Sequence, residues 1–439
     1  MATTRRWMLG SVLAAGLLAL PACAPGRDRS AGDAVVLQFW AMGSEGEKTQ
    51  PLIDEFEAAH PNIRIEMQQI PWTAAHEKLL TAFAGDTLPD VCQLGNTWIP
   101  EFVALNSLED LSSRIAASTA IEPADYFAGA WRSNIVEGRQ YGVPWYVDTR
   151  VIFYRTDMLA AAGHDRPPRS WDEWLQVMRD VQARQPAGSY AVLLPVNEFE
   201  QPVILGLQTG GDMLKEDGRY GNFSGANFRR AFEFYVRIFR EGLAPKLPNT
   251  QISNVWQEFA RGTFAMYITG PWNVNEFRRR LPKDFDAKWS TAPWPSPDGD
   301  GYGTSYAGGS SLVMFADSPQ KEAAWKFIEF MAQPRQQVRL LELTGNLPPG
   351  EKAWAASGML DDPKFVGFHE QLTNVAPAPP APEWEQIVTG ELVKTAEAVI
   401  NDRAGVDEAL AELDRKVDGI LAKRRWMLAR RAEDPAAAR

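Results

Sequence analysis

The stretch VVLQFWAMGSEGEKTQPLIDEFEAAHPNIRIEMQQIPWTAAHEKLLTAFAGDTLPDVCQL, residues 35–94, decides the fold class. Val35 to Trp40 is a short apolar run closed by a glycine-bearing turn, which reads as a buried strand. Leu52, Ile53, Phe56 and Ala59 then fall on one face at helical spacing. Ile63, Ile65 and Met67 alternate with Arg64, Glu66 and Gln68, so the next strand is expected to be half exposed. A second helix carries Leu79, Leu80 and Phe83, and Asp90 to Leu94 is again a buried strand. Strand, helix, strand, helix, strand predicts an α/β fold on a mostly parallel sheet. Ligands of such sheets bind at the carboxyl ends of the strands.

Working outward, residues 151–290 change texture. Short strands (Ala191 to Pro195, Thr263 to Ile268) mix with helices, one of which aligns Phe228, Ala231, Phe232, Tyr235, Ile238 and Phe239. This reads as a second lobe, in keeping with a length of 439 residues, beyond what one core organises. Ser311 to Phe315 and Pro319 to Gln333 return to a strand and a helix with proline at its first position, so the chain is expected to cross between lobes more than once. The run Ala376-Pro377-Ala378-Pro379-Pro380-Ala381-Pro382 reads as a stiff loop. Val406, Leu410, Leu413, Val417 and Leu421 mark a docking C-terminal helix, and residues 423–439 form a basic tail.

At the other end, Arg5-Arg6 precedes an uncharged stretch from Trp7 to Leu20, too short to span a bilayer, and then Leu20-Pro21-Ala22-Cys23. Residues 1–22 read as a lipoprotein signal peptide, Cys23 as the acyl acceptor and 23–34 as a tether, giving an exported, membrane-anchored lipoprotein. Thr4-Arg5-Arg6-Trp7-Met8-Leu9 also resembles a twin-arginine signal, so either export route fits. Cys92, the second of two cysteines, is then left in an apolar run without a disulfide partner. A formal charge of −11 repels phosphate backbones and excludes nucleic acid as a partner.

Enzyme signatures are missing. There is no phosphate loop, no Cys-x-x-Cys and no His-Glu-x-x-His, and four histidines with one spare cysteine make no metal site; no cofactor is expected. The unusual feature is aromatic, 16 Trp against 10 Tyr. Most are core, but some sit where a strand ends in a turn beside an amide or carboxylate. Trp40 leads into Ala41-Met42-Gly43-Ser44-Glu45-Gly46, Asn96-Thr97-Trp98 follows the third strand, Trp145-Tyr146-Val147-Asp148 follows Gly142-Val143-Pro144, and Gly270-Pro271-Trp272 follows Ile268. A pyranose offers an apolar face for an indole and a rim of hydroxyls for Asp, Glu or Asn, which is the chemistry these groups supply. Gly308-Gly309 would let a ligand approach the backbone.

Residues 35–46, the run Leu88-Pro89-Asp90-Val91-Cys92-Gln93-Leu94-Gly95-Asn96-Thr97-Trp98, the blocks 141–155 and 258–266, and Gly270-Pro271-Trp272 together resemble family 1 extracellular solute-binding proteins of ATP-driven sugar importers. The resemblance implies a two-lobed, type II periplasmic-binding-protein fold with a sugar in the cleft. Lobe one would comprise 35–147 and 290–342, and lobe two 148–289 and 343–422. Trp40, Ser44, Glu45, Asn96, Trp98, Gly308 and Gly309 would line the first lobe, with Tyr146, Asp148, Glu198 and Trp272 facing them. Tyr146 and Asp148 resemble residues that hold a glucose unit in trehalose- and maltose-binding members. Relatives often place a basic residue after the Leu-Pro turn near Asn346-Leu347-Pro348-Pro349, where this chain has Gly350; Trp384 could supply compensating surface. The implied function is capture, by a monomer and without catalysis, of a sugar such as maltose or trehalose for delivery to the membrane permease. A longer oligosaccharide, glycerol phosphate, or the action of a secreted carbohydrate-active enzyme are the alternatives.

Overall fold

The computed structural model describes residues 34–433. The expected signal peptide, Cys23, all but the last residue of the tether, and tail residues 434–439 lie outside them.

Two sheets organise the chain. In order of sequence their strands are β1 (Val35–Met42), β2 (Ile63–Ile70), β3 (Val91–Gly95), β4 (Gly142–Asp148), β5 (Val151–Arg155), β6 (Tyr190–Leu193), β7 (Phe264–Thr269), β8 (Trp289–Ala292) and β9 (Gly308–Met314). The first sheet has the order β2-β1-β3-β9-β4, with β1 parallel to β2 and β3, and β9 antiparallel to β3 and β4. The second has the order β8-β5-β7-β6. Helices cover both faces of each sheet. Alternation along β1 sends Leu37, Phe39 and Ala41 into one cluster and Trp40 and Met42 into the other, as a pleated strand buried on both sides requires. In the second sheet Ile152 and Ile268 join the large core of lobe two, whereas Val151, Phe153 and Phe264 join a cluster that packs across the lobe junction with Phe127, Val147 and Leu347.

The chain crosses between lobes in three places. Thr149-Arg150 links β4 to β5, residues 293–307 link β8 to β9, and a third passage follows the helix Pro334–Thr344, where Leu347 bridges to Val147. The expected boundary at 290 falls inside β8, which pairs along its length with β5 of lobe two, so the second crossing comes after Ala292. Smaller differences have simple causes. Ala59 is exposed at the frayed end of the helix Gln50–Ala59, and the helix expected from Pro319 starts at Lys321. The proline-rich stretch begins as a strand, Val375–Ala376, paired with Ser305–Tyr306 at the junction. The C-terminal helix Val406–Ile420 buries Leu410, Leu413 and Val417.

Candidate functional site

A cleft of about 650 Å³ opens between the lobes, at the carboxyl ends of β1, β3 and β4. Gly43, at φ +51, turns the end of β1 into the short helix Gly43–Lys48 and so brings Ser44 and Glu45 to the wall. Glu45 is 3% exposed; its Oε1 accepts hydrogen bonds from Ser44 Oγ (3.2 Å) and from Asn346 Nδ2, while its Oε2 has no partner. Beyond β3 a single turn, Asn96–Trp98, is fixed by Ser311 Oγ donating to Asn96 Oδ1 (2.9 Å) and by Asn96 Nδ2 donating to the Gly308 carbonyl (3.3 Å). Trp98 meets Trp72 edge to face at 5.6 Å, making an indole corner at one end of the cleft.

The floor is the β4–β9 pair. Its register skips Trp145 between Ser310 and Ser311, a bulge of the kind that re-aims side chains at functional sites. Tyr146 Oη accepts from Ser310 Oγ (3.1 Å) and Gln93 Nε2 (3.4 Å), leaving its own proton to donate; burial holds that phenol well above its ordinary pKa. A Cβ on Gly308 would lie 2.2 Å from Asp148 Oδ1, and one on Gly309, at φ +109, 2.3 Å from the Tyr146 carbonyl. These glycines therefore serve the protein's own strand pairing before any ligand.

At the first crossing Arg150 joins the two lobes. Nη1 donates to Asp148 Oδ1 (3.2 Å) on one side and Nη2 to Glu200 Oε1 (2.5 Å) on the other, and the guanidinium lies 4.7 Å from the centre of the Trp272 ring. Its carbonyl accepts from Trp294 Nε1 (2.9 Å) and Ser305 Oγ (3.0 Å), which fixes the passage. Burial acts to lower the guanidinium pKa, but Glu200 and Asp148 outweigh it and the net shift is upward. Burial likewise raises the Asp148 carboxyl, with Arg150 pulling against it. Opposite the indole corner, Glu385 Oε1 receives Thr97 Oγ1 (2.7 Å) and Trp98 Nε1 (3.3 Å) across the cleft; its Oε2 is unpartnered, and burial raises its pKa.

Of the twelve residues expected at the site, nine line this cleft: Ser44, Glu45, Asn96, Trp98, Tyr146, Asp148, Trp272, Gly308 and Gly309. Three do not. Trp40 packs into a lobe-one core because the pleat of β1 turns it inward, and Lys78 covers its ring at 4.6 Å. Trp384 is fully buried in the lobe-two core. Glu198 turns to Gln201 Nε2 (2.8 Å) and Asn249 Nδ2 (3.3 Å) behind the wall. Tyr146 and Asp148, expected to face lobe one, stand on its own edge strand.

The structure adds Trp72, Arg150, Phe199, Glu200, Tyr306, Asn346 and Glu385. Arg150 was within reach of sequence reading, two residues past Asp148 in the quoted block. Asn346 and Glu385 had no local signal, since their place depends on the third crossing and on the segment after the proline-rich stretch. Arg150 places a cation in the cleft, whereas the Leu-Pro turn is followed by Gly350. Among the described residues no group of three or more His, Cys, Asp or Glu is placed to hold a metal ion.

With this geometry in hand, the profile of the family described as bacterial extracellular solute-binding protein matches residues 42–338. The solved structure of the sugar-binding protein MalE from the phytopathogen Xanthomonas citri superposes with a TM-score of 0.87 at 47% identity, covering 90% of this chain and 99% of that one. The diacetylchitobiose-binding protein DasA of Streptomyces coelicolor is 27% identical over 74% of this chain and 75% of its own. An uncharacterized lipoprotein of Streptomyces antibioticus is 29% identical over 86% and 85%.

Proposed function

Since the chain belongs to the bacterial extracellular solute-binding proteins and has their two-lobed type II fold, we propose that it captures a sugar in the inter-lobe cleft and hands it, unaltered, to the permease of an ATP-driven importer. The ligand we infer is an α-linked glucose disaccharide such as maltose or trehalose. One observation carries this reading. The cleft is walled by three indoles (Trp72, Trp98 and Trp272) and four carboxylates (Glu45, Asp148, Glu200 and Glu385), and its cation, Arg150, is already shared between two of those carboxylates. Indoles stack on pyranose faces and carboxylates accept from hydroxyls. A volume of about 650 Å³ sits within the ordinary range of about 300–1,000 Å³ for small-molecule pockets.

The same charge balance argues against glycerol phosphate, whose anion would meet a wall with more carboxylate than cation. Asp148 and Glu200 are tied to one guanidinium instead of flanking an open position, which argues against that pair as the two acids of a glycosidase. Residues 5–23 and the lipoprotein relative support export and acylation at Cys23.

The test is a tryptophan-fluorescence titration of the chain from Ala24 to Arg439, which retains every described element, against maltose, trehalose, longer glucans, sucrose and glycerol 3-phosphate, with recovery of the ligand. A saturable response to one disaccharide, recovered intact, is expected. A response confined to glycerol 3-phosphate, or recovery of hydrolysis products, would overturn the reading. Asp148→Ala should weaken the bound sugar by about 1–3 kcal/mol, and an unchanged affinity would remove Asp148 from the site.

A further inference from the structure

Lobe two ends in a helix that the cleft does not use. Ala422–Glu433 has the sequence AKRRWMLARRAE, and its two faces differ. The inner face holds the helix to the protein. Arg425 donates to the carbonyls of Arg219 (2.9 Å) and Asp418 (2.8 Å) and lies 4.6 Å from the centre of the Tyr220 ring, and the Arg424 guanidinium stands 3.9 Å from Glu383. Leu428 is half-buried on that side.

The outer face is a single stripe. Lys423, Trp426, Met427 and Arg430 recur at i, i+3, i+4 and i+7, and all four are exposed. Trp426, at 59%, is the most exposed large hydrophobic side chain among the described residues, with Met427 at 38% beside it. The Arg430 guanidinium lies 4.9 Å from the Trp426 ring, so the cation and the indole form one unit. A solvated helix end is satisfied by charges alone. This one exposes an indole and a thioether between two cations, on a chain whose net charge is −11.

We propose that this stripe docks on an anionic phospholipid surface. Trp426 and Met427 enter the boundary between headgroups and acyl chains, while the long stems of Lys423 and Arg430 let their charges remain at the lipid phosphates. An indole is suited to this depth because its ring is apolar and its N–H is polar. Charge complementarity selects the occupant: the helix Ala422–Glu433 carries five cations and one carboxylate, Glu433 at its end, and is matched by a negative leaflet, while the acidic remainder of the chain is repelled by it. The contact then presents lobe two to the membrane through its last helix. The inference is independent of the sugar bound in the cleft and of any acyl chain.

The experiment is co-sedimentation of the chain from Ala24 to Arg439, which carries no acyl group, with vesicles of phosphatidylglycerol and phosphatidylcholine in equal parts, against vesicles of phosphatidylcholine alone. Binding to the anionic vesicles and its loss in high salt are expected. Each cation near such a surface contributes about fivefold, so Lys423→Gln with Arg430→Gln should reduce the partition roughly twenty-five-fold. Trp426→Ser should reduce it several-fold, because the apolar anchor is lost. Arg335→Gln, at an exposed cation on lobe one, should change nothing. All these positions are exposed, and an unchanged near-ultraviolet circular dichroism spectrum shows that the variants are folded. Equal sedimentation with the two vesicle types, equal loss with Arg335→Gln, or stripe variants that bind like the parent would each overturn the proposal. So would self-association that the stripe variants abolish in the absence of vesicle binding.

Discussion

The two walls of the cleft are built in different ways. The lobe-one wall stands on strand ends: Ser44 and Glu45 just past β1, Asn96 and Trp98 just past β3, Tyr146 and Asp148 at the end of β4. The opposite wall has one strand end, Trp272 just past β7, and otherwise stands on long-range ties. Trp272 rests on Arg150, Glu200 reaches the same guanidinium across 50 residues, and Glu385 meets Thr97 from 288 residues away. A wall made of strand ends inherits its rigidity from the sheet behind it. A wall made of ties is only as firm as the ion pairs and buried anchors that hold it. Closure of one lobe on the other would need only that the ligand bind the closed state better than the open one.

The largest expected effect separates anchor from surface. Trp384 and Trp272 both belong to the second wall's lobe, yet one is fully buried and the other 43% exposed. Trp384→Ala should cost about 3–5 kcal/mol of stability in a urea titration, since it empties a core that seats Glu385. Trp272→Ala should leave stability within about 0.5 kcal/mol and instead weaken sugar binding. Equal stabilities for the two variants would erase the distinction between anchor and surface.

Next comes the shared cation. Arg150→Ala leaves Asp148 and Glu200 facing each other without compensation, and should cost about 3 kcal/mol, the lower end for breaking a buried charge pair because the three side chains keep 14%, 25% and 16% exposure. Arg150→Lys keeps the charge but not the two-pronged fork, and should recover part of the loss. A larger effect of Arg150→Ala on sugar affinity than of Asp148→Ala would show that the guanidinium holds the second wall as well as the first. The floor is the next test in size. Gly309→Ala places a Cβ against the Tyr146 carbonyl at a positive φ and should cost about 1–3 kcal/mol, read as a lowered melting temperature; an unchanged value would mean that the bulge relaxes.

This contrast also explains what could be read from the sequence. The alternation Val35 to Leu94 and the aromatic positions after strands are local signals, and they place the first wall and Trp272 of the second because a strand end lies where the strand stops. Trp40 misled because it occupies such an end while the period-two pleat turns it into the core. Trp384 and Glu385 are neighbours with opposite fates, one in the core and one at the cleft, and nothing local in that segment distinguishes them. The boundary at 290 failed for a related reason: nothing local in Trp289–Ala292 shows which sheet that strand joins, and only its pairing with β5 does.

The smallest expected effect is the one that most directly compares a cleft acid with a surface acid. Burial raises the Glu385 pKa, so between the ordinary carboxylate range and that raised value the folded chain binds more protons than the unfolded one. Its contribution to stability must therefore fall as pH rises through that window. Glu241 behaves oppositely. Hydrogen bonds from Arg179, with help from Arg237, lower it from 4.5 to about 2, so its contribution is present above the ordinary range and is lost as pH falls toward about 2. Chemical denaturation across pH of the parent, Glu385→Gln and Glu241→Gln would read the two signs. The parent's stability relative to Glu385→Gln should decline with rising pH, while its stability relative to Glu241→Gln should grow from acid toward neutral pH. Slopes of the same sign would mean that Glu385 is ionised in the cleft at all working pH. Its bonds to Thr97 and Trp98 would then be a fixed charge-assisted tie between the lobes, insensitive to protonation over that range.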